Sequence, residues 1–422
     1  MNKENYLNKI SLKIYILIPF FLITGPFLSD LGVVTICILF LYTNFLYKSF
    51  HFYNNLYFKV FIIFFFVCCL SSAISDYSAY SIKSSLSYLR FGIFSVAVAM
   101  LLNLSEKYVL YLTKIFLIIL IVLFIDSLIQ FFFGFNSLGW RYEDLNFRVT
   151  SFFGDDEVLG SYVARFFPFI LSLILFSKKH LDFKINDLFI YAVIFSSVVI
   201  CVISGERTSF LLLIISLTII LLTCPELKKI MIWSIIISTL STFLVIFTNE
   251  NIKKRMIDQT IRQMGLSKTS DRLVIFSETY EGHYKISINM IKEKPILGHG
   301  PKSFRKYCAE PENYVAQNAC TTHPHNLFLQ ILAETGIMGF LIIFFVFLLI
   351  SYKLIKILIF RIQRKKIFFE DYNTLILIFY FTNLFPFAPS GNFFNNWLSI
   401  IYYLPAGFFL FLESKVSRKK NG

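Results

Sequence analysis

VLYLTKIFLIILIVLFIDSLIQFFF, at residues 109–133, is an almost unbroken run of apolar side chains. About 20 such residues in a helix cross the hydrocarbon core of a bilayer. Similar blocks recur along the 422-residue chain, which is 56% hydrophobic and 16% charged, whereas soluble proteins are roughly 25% charged. The composition excludes a soluble enzyme, a disordered chain and a small disulfide scaffold. It predicts an all-α, polytopic membrane protein.

Twelve apolar segments are predicted to span the membrane. They lie near residues 12–29, 31–47, 58–75, 86–102, 109–133, 160–177, 187–203, 209–224, 230–248, 326–352, 372–388 and 394–412. The chain accordingly divides into spans 1–5 (1–133), a polar loop (134–160), spans 6–9 (161–248), a long polar loop in which short helices are expected (249–325), and spans 10–12 with a tail (326–422). The two loops lie on one side of the membrane and the tail on the other.

The distribution of basic residues predicts the orientation. An even number of spans puts both termini on one side, and with the N-terminus inside, the cytoplasmic segments hold 21 Lys and Arg against six in the short opposite loops. Cytoplasmic loops are typically the basic ones, so both termini are expected in the cytoplasm. The same rule explains the net charge of +14 without nucleic acid as a partner.

The loop at 249–325 is basic as well, with twelve Lys and Arg against eight Asp and Glu. Long loops cross the membrane regardless of charge, so this composition leaves the orientation unchanged. Apolar residues at three- and four-residue steps predict an amphipathic helix over 271–293, capped by Asp271 and ended by Pro295. Cys308 and Cys320 lie in this loop; in an oxidising periplasm they are expected to pair, the alternative being two free thiols.

Two arginines are candidates for binding phosphate. Arg207 follows Gly205-Glu206 in a very short connection at the predicted outer membrane edge, and a guanidinium binds phosphate oxygens in bidentate fashion. Arg272 follows Asp271 at the predicted start of the amphipathic helix, where helix geometry favours anions. The alternatives are an Arg207 that only anchors its helix end and a solvated capping segment at Arg272.

His325 is the candidate general base, because a neutral imidazole accepts protons near neutral pH. It lies in His323-Pro324-His325-Asn326, where the long loop enters span ten. His323 and Asn326 are expected to help bind substrate. No third ligand at a plausible spacing supports a metal, and no cofactor is expected. Gln330 and Glu334 follow Asn326 at four-residue steps, which predicts a polar stripe facing the protein interior.

The loop before span six offers further charges. Arg148 and Arg165 are expected on the same side as Arg207 and are candidates for substrate binding. Asp155, Asp156 and Glu157 have the oxygen ligands that a divalent cation prefers, but a solvated loop is the favoured interpretation.

Asp126 is a carboxylate deep in an apolar block. A proton-coupled transporter would need such a group, while hydrogen bonding to a neighbouring helix is the alternative.

Over about residues 190–350 the chain resembles the O-antigen ligase and polymerase superfamily of bacterial inner-membrane glycan transferases. The motifs that carry this resemblance are Gly205-Glu206-Arg207-Thr208-Ser209, Asp271-Arg272-Leu273, Lys294-Pro295-Ile296-Leu297-Gly298-His299-Gly300-Pro301, and His325-Asn326 followed after nine residues by Gly336-Ile337-Met338-Gly339. The segment from Arg148 to Pro168 is similar to a weaker family element. The two final glycines are expected to permit close helix packing.

The resemblance implies an inverting, metal-independent glycosyltransferase at the periplasmic face of the inner membrane. Arg207 and Arg272 would bind the pyrophosphate of an undecaprenyl-pyrophosphate glycan, and His325 would activate the acceptor hydroxyl. The acceptor would be a lipid A–core saccharide for a ligase, another lipid-linked repeat unit for a polymerase, or a protein. A transporter of lipid-linked sugars is the alternative of a different class; the chain shows no internal repeat that would favour it.

Overall fold

The computed structural model describes residues 3–47, 50–141, 148–264, 277–365 and 369–421. The regular elements of these residues are all helical, and no β-strand occurs among them. This confirms the all-α class. The helices are α1 (Lys3–Phe21), α2 (Pro26–Tyr47), α3 (Leu56–Ala73), α4 (Ser78–Leu104), α5 (Lys107–Phe133), α6 (Leu159–His180), α7 (Asp187–Ile203), α8 (Arg207–Thr223), α9 (Lys228–Thr248), α10 (Glu250–Lys253), α11 (Gln259–Gln263), α12 (Glu278–Glu293), α13 (Phe304–Tyr307), α14 (Leu327–Ile362), α15 (Asp371–Asn383) and α16 (Asn396–Asn421).

Twelve of these helices, α1–α9 and α14–α16, overlap the twelve predicted spans. Eight of the described helices are long and apolar enough to cross a membrane: α2, α3, α4, α5, α6, α9, α14 and α16. Helices α7 and α8 have 17 residues each. The 13 residues of α15 extend only about 20 Å at 1.5 Å per residue. The eight long apolar helices indicate a multi-pass membrane protein, and the count of twelve spans stays a prediction.

Helix α6 is the centre of the bundle. Nearly all of its residues are buried, and it packs against α5, α7, α8 and α15. Helix α4 packs along α16, and α3 lies between α4 and α14. Aromatic side chains fill much of this core; Phe166 and Phe169 of α6, for example, both contact the ring of Phe116 on α5.

The segment between α9 and α14 carries the short helices α10–α13, and a π-helical turn at Lys254–Asp258 lies between α10 and α11. The prediction that the amphipathic helix begins at 271 is wrong for α12, which begins at Glu278. Its N-cap is Ser277, because the Ser277 hydroxyl accepts a hydrogen bond from the Tyr280 amide at 3.3 Å. Asp271 and Arg272 lie outside the described residues.

Helix α14 is broken at Gly336, whose φ of 63° is in the left-handed region. A Cβ at Gly336 would lie 2.2 Å from the Ile296 carbonyl oxygen, so the turn after α12 inserts its backbone at the break. There the Ile337 amide donates to the Pro295 carbonyl at 2.9 Å, and the Gly300 amide donates to the Glu334 carbonyl at 2.7 Å. Gly336 thus receives a loop rather than a neighbouring helix, which corrects the expected helix packing at this glycine.

Candidate active site

The Gly205-Glu206-Arg207 motif forms a tight connection between α7 and α8. Gly205 adopts a φ of 64°, and the Glu206 carboxylate accepts hydrogen bonds from the amides of Gly160 (2.6 Å) and Ser161 (3.0 Å) at the start of α6. It also accepts one from the Ser209 hydroxyl at 2.9 Å. Burial raises the pKa of Glu206 to about 7, although these hydrogen bonds favour its ionised form. Glu206 therefore fixes the position of its neighbour Arg207.

Arg207 extends toward the segment that follows α9. Its Nη1 donates to the Thr260 hydroxyl at 3.1 Å, and its Nη2 donates to Gln263 Oε1 at 2.6 Å. Arg255, on the π-helical turn, approaches from the same segment, and its Nη1 donates to Gln259 Oε1 at 2.7 Å. The two guanidinium groups are close enough to repel each other, since Arg255 contributes to a lowered pKa of Arg207 after burial.

Arg148 joins them from the loop before α6, where it forms an ion pair with Glu157. Burial, followed by repulsion from Arg255, lowers the pKa of Arg148 to about 10, and Arg207 contributes in the same direction. We call Arg148, Arg207 and Arg255 the arginine cluster. Glu157 and the buried Glu206 are acids near this cluster among the described residues. Three cations so close together form a site for an anion with several charges.

His323 and His325 meet His283 of α12 in a compact group, the histidine cluster. The ring centroid of His325 lies 4.1 Å from that of His323 and 5.3 Å from that of His283. His325 itself has a φ of 56°, a conformation that is uncommon for a residue with a side chain and that recurs at functional sites. Its carbonyl accepts a hydrogen bond from the Ser390 amide at 2.9 Å.

Backbone carbonyl groups set the tautomers of two of these rings. His283 Nδ1 lies 2.6 Å from the Ala319 carbonyl oxygen, and His323 Nε2 lies 3.1 Å from that of Ser390. Because a carbonyl only accepts, these nitrogens carry the hydrogen. His323 Nδ1 then accepts from the Thr322 hydroxyl at 2.8 Å. Among the described residues, no hydrogen bond engages the ring nitrogens of His325, so they remain available to a substrate.

All three imidazoles favour the neutral form. Burial lowers the pKa of His323 to about 3 and that of His325 to about 4, and each is lowered further by a neighbouring histidine. Burial also lowers the pKa of His283. A neutral His325 has the protonation state that a general base requires.

Tyr280 of α12 connects the two clusters. Its ring centroid is 5.4 Å from that of His325, and its hydroxyl lies within electrostatic range of Arg148, Arg207 and Arg255. The structure therefore brings Arg148 and Arg207 together with His325, as far as the described residues extend; Arg272 lies outside them.

The predicted polar stripe on α14 faces the protein interior. Asn326 is the N-cap of α14, with its Oδ1 accepting from the Leu329 amide at 3.0 Å. Gln330 donates to Glu334 Oε2 (3.0 Å) and to Asn392 Oδ1 (2.9 Å). These bonds position the start of α14, directly after His325. The role of Asn326 in substrate binding stays a prediction.

Two other candidates have contacts within the bundle. Arg165 donates to Asn383 Oδ1 at 2.9 Å and to the Ser161 hydroxyl at 3.0 Å, so it connects α6 with α15. Asp126 accepts from the Ser137 amide (2.8 Å) and the Ser151 hydroxyl (2.5 Å), which holds the loop after α5. The substrate-binding role of Arg165 stays a prediction.

Cys308 and Cys320 are joined by a disulfide bond, with 5.3 Å between their Cα atoms. The disulfide closes a loop from Cys308 to Cys320. Ala319, whose carbonyl is hydrogen-bonded to His283, directly precedes Cys320. No group of three His, Cys, Asp or Glu residues in the described ranges has an arrangement that suits a metal ion, and Glu157 of the acidic loop is paired with Arg148.

Sequence analysis did not identify Arg255 or His283 as site residues. His283 lies three residues after Tyr280 and therefore on the face of α12 that was expected to be buried. A histidine on that face was the available signal. Arg255 had no comparable signal, since it was one of twelve basic residues in the loop.

Residues 191–344 match a family model described as O-antigen ligase. The match confirms the resemblance to the O-antigen ligase superfamily that the motifs indicated. A comparison with curated proteins gives no match. The matched O-antigen ligase region contains Arg207, Arg255 and all three histidines, whereas Arg148 lies before it.

Proposed function

We propose that the protein is an O-antigen ligase-type glycosyltransferase that moves a glycan from undecaprenyl pyrophosphate to a lipid A–core saccharide. The site would face the periplasm of a bacterium, in an inner-membrane protein with both termini in the cytoplasm. The family match supports a member of the superfamily. The observation that carries the proposal is the placement of both the arginine cluster and His325 near Tyr280.

The arrangement fits the chemistry of a single displacement. The donor's anomeric carbon is already activated by its bond to pyrophosphate, so the enzyme has to remove a proton from the acceptor hydroxyl and stabilise the leaving group. Neutral His325 would take the proton as the acceptor oxygen bonds to the anomeric carbon. The carbon–oxygen bond to pyrophosphate breaks, and the arginine cluster would stabilise the departing charge. One displacement inverts the anomeric centre, and no metal has a role in it.

A purified assay in lipid nanodiscs tests the proposal. Undecaprenyl-pyrophosphate glycan is offered either with lipid A–core or with further lipid-linked glycan, and the products are separated by size. Glycan on lipid A–core supports a ligase, longer lipid-linked glycan identifies a polymerase instead, and no covalent product overturns both. A transporter would move labelled donor across a sealed vesicle without forming a new glycosidic bond.

His325→Ala is expected to lower transfer by about 10²- to 10⁴-fold, the usual contribution of a general base. His180→Ala, at the end of α6 and away from the histidine cluster, is the matched control. Equal activity of the two variants would refute the assignment of His325.

A further inference from the structure

A second group of cations lies near His323 of the histidine cluster. Lys302 and Arg305 follow the turn at Gly300, and the Phe304 amide between them donates to Glu334 Oε1 at 3.1 Å, which holds this segment against α14. Arg90 of α4 lies within electrostatic range of Lys302. We call Arg90, Lys302 and Arg305 the lysine–arginine cluster.

Among the described residues, Arg90 is the member of this cluster that forms an ion pair, and the Glu334 carboxylate lies within electrostatic range of Lys302 and favours its charged form. Asp30 pairs with Arg90, at 2.9 Å to Nε and 2.8 Å to Nη2. Among the described residues, no hydrogen bond or ion pair engages the Lys302 ammonium or the Arg305 guanidinium. Arg305 Nε is buried without a partner, as is the Ser303 hydroxyl between them.

These features indicate a site for an anion. Buried donors are normally satisfied, so the unpartnered Arg305 Nε and Ser303 hydroxyl require a ligand or water. Burial, followed by repulsion from Arg305, lowers the pKa of Lys302. A bound phosphate would relieve this repulsion and supply oxygens for both cations.

The position relative to the histidines distinguishes this cluster from the arginine cluster. Arg305 is close enough to His323 to contribute to the lowered pKa of His323. The carbonyl of Ser390 accepts a hydrogen bond from His323, and the Ser390 hydroxyl is also buried without a partner among the described residues. The arginine cluster instead approaches His325 through Tyr280. Arg305 on α13 is thus near His323, whereas Arg207 on α8 and Arg255 on the π-helical turn are near Tyr280.

We propose that the lysine–arginine cluster binds a phosphate group of the acceptor glycolipid. This inference rests on the proposed function, since in a single displacement the acceptor hydroxyl and the departing pyrophosphate lie on opposite faces of the anomeric carbon and each substrate needs its own binding groups. The donor's pyrophosphate would occupy the arginine cluster. The acceptor would be a phosphorylated glycolipid, held so that its hydroxyl reaches His325.

Kinetics with two forms of the acceptor test this assignment. Lipid A–core and its enzymatically dephosphorylated form are compared in wild type, Lys302→Ala, Arg305→Ala and the double variant. Loss of charge-assisted hydrogen bonds is expected to raise the acceptor KM about tenfold or more, with the donor KM unchanged. Dephosphorylation should raise the wild-type KM to a similar extent and leave the double variant nearly unaffected. The control is Lys306→Ala, whose ammonium lies over the Tyr80 ring.

Unchanged acceptor KM values in active variants would overturn the assignment. If the wild type shows no transfer at all, binding of the two lipid A–core forms to the protein in phosphatidylcholine nanodiscs is measured directly. A preference for the phosphorylated form that the double variant loses would then support the cluster although the proposed function fails, and equal binding would overturn it. Competition by phosphatidylglycerol as strong as by lipid A–core would assign the site to membrane phospholipid and overturn the acceptor role.

Discussion

His325 combines an unusual backbone with an unusual protonation equilibrium. Its left-handed φ directs the ring toward His323, His283 and Tyr280. These aromatic neighbours exclude water from the His325 ring, and the loss of hydration disfavours its charged imidazolium form. The proton of the acceptor hydroxyl therefore meets a base that is already neutral. Its basicity rises when an anion binds nearby, because a negative charge favours the imidazolium that forms during the reaction.

The pH dependence of transfer follows from this pKa. With a pKa of about 4, His325 stays neutral as the pH falls from 8 to 5, whereas an ordinary histidine would be about 97% protonated at pH 5. We expect kcat/KM, which reports the free enzyme, to show no loss with an apparent pKa near 6.5 and to fall only below about pH 5. An inflection near pH 7 that belongs to Glu206 should vanish in Glu206→Gln. Loss near pH 6.5 in both proteins would contradict the prediction.

Arg255 is expected to contribute as much to donor binding as Arg207. Removing one charge-assisted hydrogen bond costs about 1.5–3 kcal/mol, so Arg255→Ala should lower kcat/KM for the donor by about ten- to hundredfold. Arg255→Lys should recover only part of this kcat/KM, because Lys lacks the bidentate fork. The measurement is transfer at limiting donor. Lys254→Ala, an exposed neighbour on the same turn, serves as the control. An Arg255→Ala variant as active as this control would remove Arg255 from the site.

At the scale of elements, the first residues of α14 depend on a cross-linked loop. The disulfide holds Cys320 next to Ala319, whose carbonyl fixes His283, and the Thr321 hydroxyl donates to the His323 carbonyl at 2.7 Å. A Cβ at Gly282 would lie 2.8 Å from the Ala319 Cβ, so α12 and this loop are in close contact. The histidine cluster is thus positioned by three separate elements: α12, the loop and the start of α14.

Loss of the disulfide is therefore expected to affect catalysis more than donor binding. Cys308→Ser and Cys320→Ser should lower kcat while the donor KM stays within about twofold, and the segment should lose about 2–4 kcal/mol of stability. Transfer kinetics and limited proteolysis before and after reduction measure the two effects. Cys69→Ser, which removes a free cysteine, is the control. An unchanged kcat in the fully reduced protein would show that the disulfide does not position the histidines.

Sequence analysis could predict these elements better than the contacts between them. Hydrophobic blocks locate helices because a span must be apolar over a fixed length, and each of the twelve predicted blocks overlaps a helix. Helix periodicity placed Tyr280 on the inner face of α12 but does not specify its partner. The break of α14 at Gly336 depends on the inserted Ile296 backbone. The grouping of Arg255 with Arg207 depends on how a segment some fifty residues after Arg207 packs against it. Such contacts are determined by tertiary packing.

On the scale of the whole molecule, the site is assembled at one end of the bundle. The starts of α6, α8, α12 and α14 hold its residues. The basic run at Lys178–Lys179 lies at the opposite end of α6, and that at Lys228–Lys229 begins α9, shortly after the opposite end of α8. By the positive-inside rule, we expect both cationic clusters on the side away from the cytoplasm.

This orientation predicts which positions react with a membrane-impermeant maleimide. Glu312→Cys lies in an exposed turn of the disulfide-linked loop, and Lys184→Cys in an exposed connection between α6 and α7. In intact cells with a permeabilised outer membrane, we expect Glu312→Cys to be labelled and Lys184→Cys to be labelled only after lysis. The native free cysteines are buried or partly buried, so the wild type gives the background. Labelling of Lys184→Cys in intact cells, with Glu312→Cys protected, would place the active site in the cytoplasm, where neither the disulfide nor transfer to lipid A–core is expected.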